Sequence, residues 1–115
     1  MTSPEKQKID EKLLGKVSRP IDMVEYQEGS VVSRTIVDQE KGTVTLFAFG
    51  EGQGLSEHTA PFSALVYIMD GSAKVMINGK PFELGAGDAI VLPANQPHAL
   101  KAISRFKMML TMIRA

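Results

Sequence analysis

Two side chains bound the chemistry open to this sequence: His58 and His98, its only histidines. Cysteine is absent, which removes disulfides, thiolate nucleophiles and cysteine-ligated zinc together. Histidine titrates near neutrality, so either ring can act as a general acid or base beside a bound substrate, and a neutral imidazole can ligate a transition metal. Two imidazoles alone make an incomplete metal site, because stable sites draw on three or four protein ligands. The nearest acid is Glu57. As the neighbour of His58 it points to the opposite face of a regular strand, and only a bulge would turn it inward. Gln53 and Ser56 lie on the same glycine-rich approach and read as polar loop residues. Tyr26 and Tyr67 offer hydroxyls, but neither is placed beside the histidines. The plain alternative is that both rings are hydrogen-bonded to their neighbours and do no chemistry.

The elements that would position these rings are strands. From Val31 onward the chain reads as short β-branched or alternating runs: VVSRTIV, TVTLFAF, ALVYIM, KVMI, PFEL, DAIVLP, HALKAI and FKMMLTMI. Asp70-Gly71 and Asn78-Gly79 have the composition of tight hairpin turns. Gly85 to Asp88 is a further reversal, and Pro93 to Pro97 a rigid loop. With almost no helical period, this spacing predicts a sandwich or barrel rather than a parallel α/β sheet. The one helix signal covers residues 3–15, where Ser3 caps, Pro4 fits the first turn and Gly15 stops. In the last strand Phe106, Met108, Leu110 and Met112 share the inward phase. The outward phase holds Met109 and Ile113, which calls for cover by the N-terminal arm or by a second copy in a homodimer.

The two histidines stand in a recognisable frame. Gly52-(x5)-His58-x-Ala60-(x3)-Ala64-(x6)-Gly71 and Gly87-(x5)-Pro93-x-Asn95-(x2)-His98-(x3)-Ala102 resemble the two cupin motifs, G-x5-H-x-H-x3-E-x6-G and G-x5-P-x-G-x2-H-x3-N. The resemblance spans residues 52–102. It implies an all-β fold, an antiparallel jelly-roll β-barrel of the cupin type, with a short N-terminal helix. Residues 1–20 would form the arm and residues 21–115 the barrel.

The departures from that frame are chemical. The second histidine of the first motif is Ala60 and its glutamate is Ala64; the glycine of the second motif is Asn95, which tolerates the left-handed conformation, and its closing asparagine is Ala102. The two-residue strand period puts His58 and Ala60 on one face. The resemblance places Ala64 and His98 in the same cavity, making His58, Ala60, Ala64 and His98 the candidate ligand-binding residues. His58 and His98 are also the candidate catalytic pair. They are the candidate ligands for a divalent iron, manganese, zinc or nickel ion, although no cofactor is required by the residues themselves. Alanines in place of bulky donors enlarge the cavity and favour an apolar or aromatic small molecule. The alternatives are a metal-dependent oxygenase or isomerase with a reduced ligand set, and a structural or sensor module without chemistry.

Composition narrows the partners. Thirteen basic residues balance thirteen acidic ones, so no basic excess points to nucleic acid or an anionic membrane. No apolar run is long enough for a membrane-spanning helix, and the charged N-terminus lacks a signal-peptide core, which fits a soluble cytoplasmic protein. Gly50-Glu51-Gly52-Gln53-Gly54 precedes a strand rather than a helix and lacks the Gly-Lys-Ser/Thr ending, so it reads as a rim loop rather than a phosphate cradle. Arg34 and Arg105 read as surface residues. The methionines read first as core filling, with a soft ligand pocket as the alternative.

Overall fold

The structure, a computed structural model, describes residues 8–114. Eight antiparallel strands follow one another in it: β1 (Lys8–Ile9), β2 (Val31–Gln39), β3 (Gly42–Phe49), β4 (Gly54–His58), β5 (Ser63–Ile77), β6 (Lys80–Gly85), β7 (Ala89–Leu92) and β8 (His98–Ile113). They hydrogen-bond in the order β1-β2-β3-β8-β5-β6, with β4 added to β8 and β7 to β5. This is the antiparallel β-barrel architecture expected from the sequence. Among the described residues no helix is long and apolar enough to cross a membrane.

Side-chain alternation builds the core. Along β5, Ala64, Val66 and Ile68 are buried while Leu65 and Tyr67 face out; along β8, Phe106 and Met108 are buried as their phase predicts. Phe49 and Phe106 stack at 4.4 Å between centroids with their planes 5° apart, and neither is exposed to solvent. Offset aromatic pairs of this kind add to the burial of their area.

Two expectations about turns diverge. Asn78-Gly79 does form the tight hairpin, with both residues at positive φ and Ile77 paired to Lys80. Asp70-Gly71 does not reverse the chain. β5 runs through it, because the residues on both sides pair with the same strand: Ser63 to Gly71 with Ile113 to Phe106, and Ala73 to Ile77 with Ala102 to His98. The register shifts there: one extra residue on β5 between Ile68 and Asp70, as in a β-bulge, and two on β8 opposite the step from Gly71 to Ala73. HALKAI and FKMMLTMI likewise merge into the single strand β8. At the second shift, the Ser104 hydroxyl accepts from the Ser72 backbone N–H at 3.0 Å, so the interrupted ladder keeps a partner there.

The N-terminal helix expected over residues 3–15 is reduced, in its described part, to strand β1 and one 3-10 turn, Glu11–Leu13; residues 3–7 lie outside the described residues. Ile9 pairs with Val37 and the Asp10 carboxylate accepts from Arg34 at 2.7 Å. Sheet pairing therefore takes the backbone groups a helix would have used. A second 3-10 turn, Pro20–Asp22, leads into Val24, which is buried with Leu46 and Ala48; Met69 and Met109 pack on the same cluster. The segment that follows the arm, through Met23, Val24 and Tyr26, thus covers part of the outward apolar phase of β8.

Candidate functional site

β4 presents His58 by an irregularity. Strict alternation would put Leu55 and His58 on opposite faces, yet Leu55 pairs with Leu100 and His58 with His98, with a register shift between them. The bulge lets both residues line one cavity. It does not deliver Glu57, which remains exposed and outside the lining. His98 opens β8 directly after the proline loop. The Asn78 backbone N–H donates to the Pro97 carbonyl at 2.9 Å, the Asn78 amide to Gln96 Oε1 at 2.8 Å, and the Asn95 N–H to the Ala60 carbonyl at 2.7 Å. These bonds pin the loop to the neighbouring hairpin and hold Ala60 beside it. Asn95 has φ 65°, the left-handed conformation its place in the motif requires.

The two rings meet. Their Nε2 atoms are 3.1 Å apart and their centroids 4.4 Å, with planes at 70°. His58 Nδ1 lies 2.9 Å from the Ser56 carbonyl and His98 Nδ1 3.2 Å from the Gln96 carbonyl. A carbonyl only accepts, so each Nδ1 donates and each Nε2 is left as an unprotonated acceptor beside the other. His98 is buried, and His58 is exposed at the cavity's rim.

All four candidate residues, His58, Ala60, Ala64 and His98, line the same cavity. The rest of the lining is Leu55, Phe62, Leu92 and Leu100, with Met108, Leu110 and Met112 from β8. The atom-free space is about 400 Å³ including the mouth, but only about 50 Å³ is open to the centre of a water molecule. That is room for a few heavy atoms. Leu100 follows from the sequence, since it shares the phase of His98. Leu92 likewise shares the inward phase of Ile90 on β7; Phe62 does not follow, because it lies between β4 and β5, where alternation carries no information. Tyr26 is elsewhere: its hydroxyl donates to Asp70 at 2.6 Å, and burial with the Asp70 charge pushes its pKa well up. Tyr67 points outward. The arginines read as surface residues have partners: Arg34 pairs with Asp10, and Arg105 lies 4.4 Å over the Tyr26 ring.

Burial holds the His98 pKa below the usual histidine value, opposed by the Gln96 carbonyl and reinforced by the neighbouring His58. A depressed value means the unfolded chain binds the proton more readily. The stability this group contributes is complete above its ordinary value of 6.5 and is lost as the pH falls through the lower folded value. The thermal midpoint is therefore expected to drop on acidification below neutrality, and His98→Leu to flatten that slope. Equal slopes in the two proteins would remove the assignment.

As a metal centre the donor set falls short. The cavity supplies two imidazole nitrogens and no carboxylate. Among the described residues no group of three or more His, Cys, Asp or Glu side chains is placed to hold an ion. The residues present do not fit a resident divalent metal, which needs at least three protein donors.

Comparison with known proteins agrees with this architecture. The Cupin domain family matches residues 45–114. A conserved protein of unknown function from Streptococcus pyogenes is 32% identical, with a TM-score of 0.84 over 88% of this chain and 89% of its own. A cupin superfamily protein from Desulfitobacterium hafniense is 25% identical, with a TM-score of 0.82 over 87% of this chain and 93% of its own. A Cupin 2 conserved barrel domain protein from Leptotrichia buccalis is 41% identical over 81% of this chain, at a TM-score of 0.79; the match spans 45% of that protein. No curated protein matches the sequence.

Proposed function

This chain belongs to the cupin family, and from that premise we propose that it binds a small, largely apolar molecule in the barrel cavity, held by His58 and His98. The observation that carries this reading is the convergence of two oriented Nε2 atoms inside a lining that is otherwise aliphatic, aromatic or thioether. Such a site gains affinity from apolar burial and takes its orientation from a few polar atoms. The narrow interior favours a body of a few heavy atoms over an aromatic ring.

The test is saturable binding followed by the methyl NMR signals of Ala60 and Ala64 during titration with short branched alcohols and hydrocarbons. Ala64→Leu fills the space and is expected to weaken binding by about tenfold or more, with Ala60→Val as the milder companion. Binding that survives unchanged in a folded Ala64→Leu protein would place the ligand elsewhere.

A homodimer is the second part of the proposal. Leu65, Tyr67, Val91 and Ile113 are exposed on one outer face, where Leu65 pairs with Val91 and Thr111, and Ser63 with Ile113. An apolar sheet face of this kind favours cover by a second copy. Light scattering across a concentration series is expected to show twice the chain mass, and Leu65→Glu to shift it to the monomer. A monomer at every concentration would defeat the idea.

A further inference from the structure

Three contacts in a row tie the two rings to the backbone: the Ser56 carbonyl to His58 Nδ1, Nε2 to Nε2, and His98 Nδ1 to the Gln96 carbonyl. Each contact needs one hydrogen. Two neutral imidazoles carry two, and both outer contacts end on carbonyls that cannot donate. Both hydrogens therefore sit on Nδ1, and the two Nε2 acceptors lie 3.1 Å apart with no hydrogen between them. The row is one hydrogen short. No other side chain lining the cavity can supply it, because none of them carries an N–H or O–H. Protonating the buried ring of His98 would place a charge against apolar walls that hold no carboxylate to balance it.

We infer that the occupant brings the missing hydrogen: it is a small neutral molecule with a hydroxyl group on a short apolar body, donating to the Nε2 atoms of His58 and His98. This rests on the reading of the cavity as a binding site. A ligand that only accepts, such as an ether or a ketone, leaves both Nε2 acceptors without a donor. A carboxylate adds negative charge to a pair of acceptors.

Three probes of similar size separate these cases in the full chain at about pH 7.5, above the usual histidine pKa: 2-methylpropan-1-ol, methyl propyl ether and isobutyrate. The Ala60 and Ala64 methyl signals report occupancy, and the imidazole nitrogen shifts report donation to Nε2. The alcohol is expected to bind at least about tenfold more tightly than the ether, the usual scale for leaving buried polar atoms without partners, and to move the Nε2 resonances. Equal binding of alcohol and ether would overturn the inference and leave the cavity reading standing. Tightest binding of isobutyrate would also overturn it, since the pair would then carry a proton of its own. If none of the three shifts either methyl signal in the folded protein, the inference and the cavity reading fail together.

Discussion

Gly71→Ala is expected to remove a large share of the protein's stability. Gly71 has φ +76°, a region that L side chains rarely adopt. A Cβ placed there would lie 1.9 Å from the Arg105 carbonyl oxygen and 2.8 Å from the Phe106 Cα. Both neighbours are backbone of β8, so relief requires the two longest strands to separate where their ladder is already interrupted. β8 also carries Phe106, which stacks on its β3 partner Phe49. Strain and lost packing together are expected to cost about 3 kcal/mol or more, against a total of roughly 5–15 kcal/mol for a domain of ordinary stability. Gly79→Ala is the control: φ is +77° there, but nothing lies within 4 Å of the added atom. It should cost about 1–2 kcal/mol from backbone strain alone. Denaturant unfolding of the two variants separates the terms, and equal losses would mean that the approach of β8 is not what demands glycine.

Gly71 also shows where the sequence was legible and where it was not. Its dipeptide has hairpin composition, and local propensity has no means of telling a reversal from a bulge. The difference lies in which strand pairs with each side, a contact between residues far apart in the chain. Asn78-Gly79 reads correctly because its hairpin partners, Ile77 and Lys80, are local. Strand phases read well for the same reason: Phe106 and Met108 turn inward because alternation is set by the backbone itself. The N-terminal arm reads poorly. Its capping residues favour a helix, but pairing of Ile9 with Val37 outweighs a marginal helical preference that has only a thin apolar stripe to dock.

The site was legible through motif spacing rather than periodicity. His58 and Leu55 share the cavity only because of a bulge, and nothing in the residue types of Gly54–His58 announces one. The spacing in the first motif carries that irregularity implicitly, and with it His58 comes to lie against His98. The hydrogen bonds that orient the rings were not legible at all. They use the backbone carbonyls of Ser56 and Gln96, which every residue possesses.

The double variant Ala60→His, Ala64→Glu is expected to convert the cavity into a divalent-metal site. The native pair already has its Nε2 atoms 3.1 Å apart with both Nδ1 atoms anchored to carbonyls, the arrangement that orients imidazole ligands. The two alanines line the same cavity and stand where the cupin motif has its second histidine and its glutamate. Restoring them raises the donor set from two nitrogens to three nitrogens and a carboxylate. That crosses the threshold of three or four protein ligands at which sites hold a transition metal. The sign of the stability change depends on the ion. Ala64 is only 6% exposed, so without metal the variant places an unpaired carboxylate in an apolar interior, at a cost of about 3 kcal/mol or more. With zinc or nickel in excess, binding to the folded state alone returns that loss and adds to it. The expected result is a thermal midpoint below the native value in chelator and well above the chelator value in metal, while the native protein shows little response to either. Chelator and metal titrations followed by calorimetry, with the bound ion counted by elemental analysis, measure both halves. A native protein that retains a stoichiometric ion through chelation, or a folded variant that remains indifferent to metal, would show that the alanines are not what limits the site.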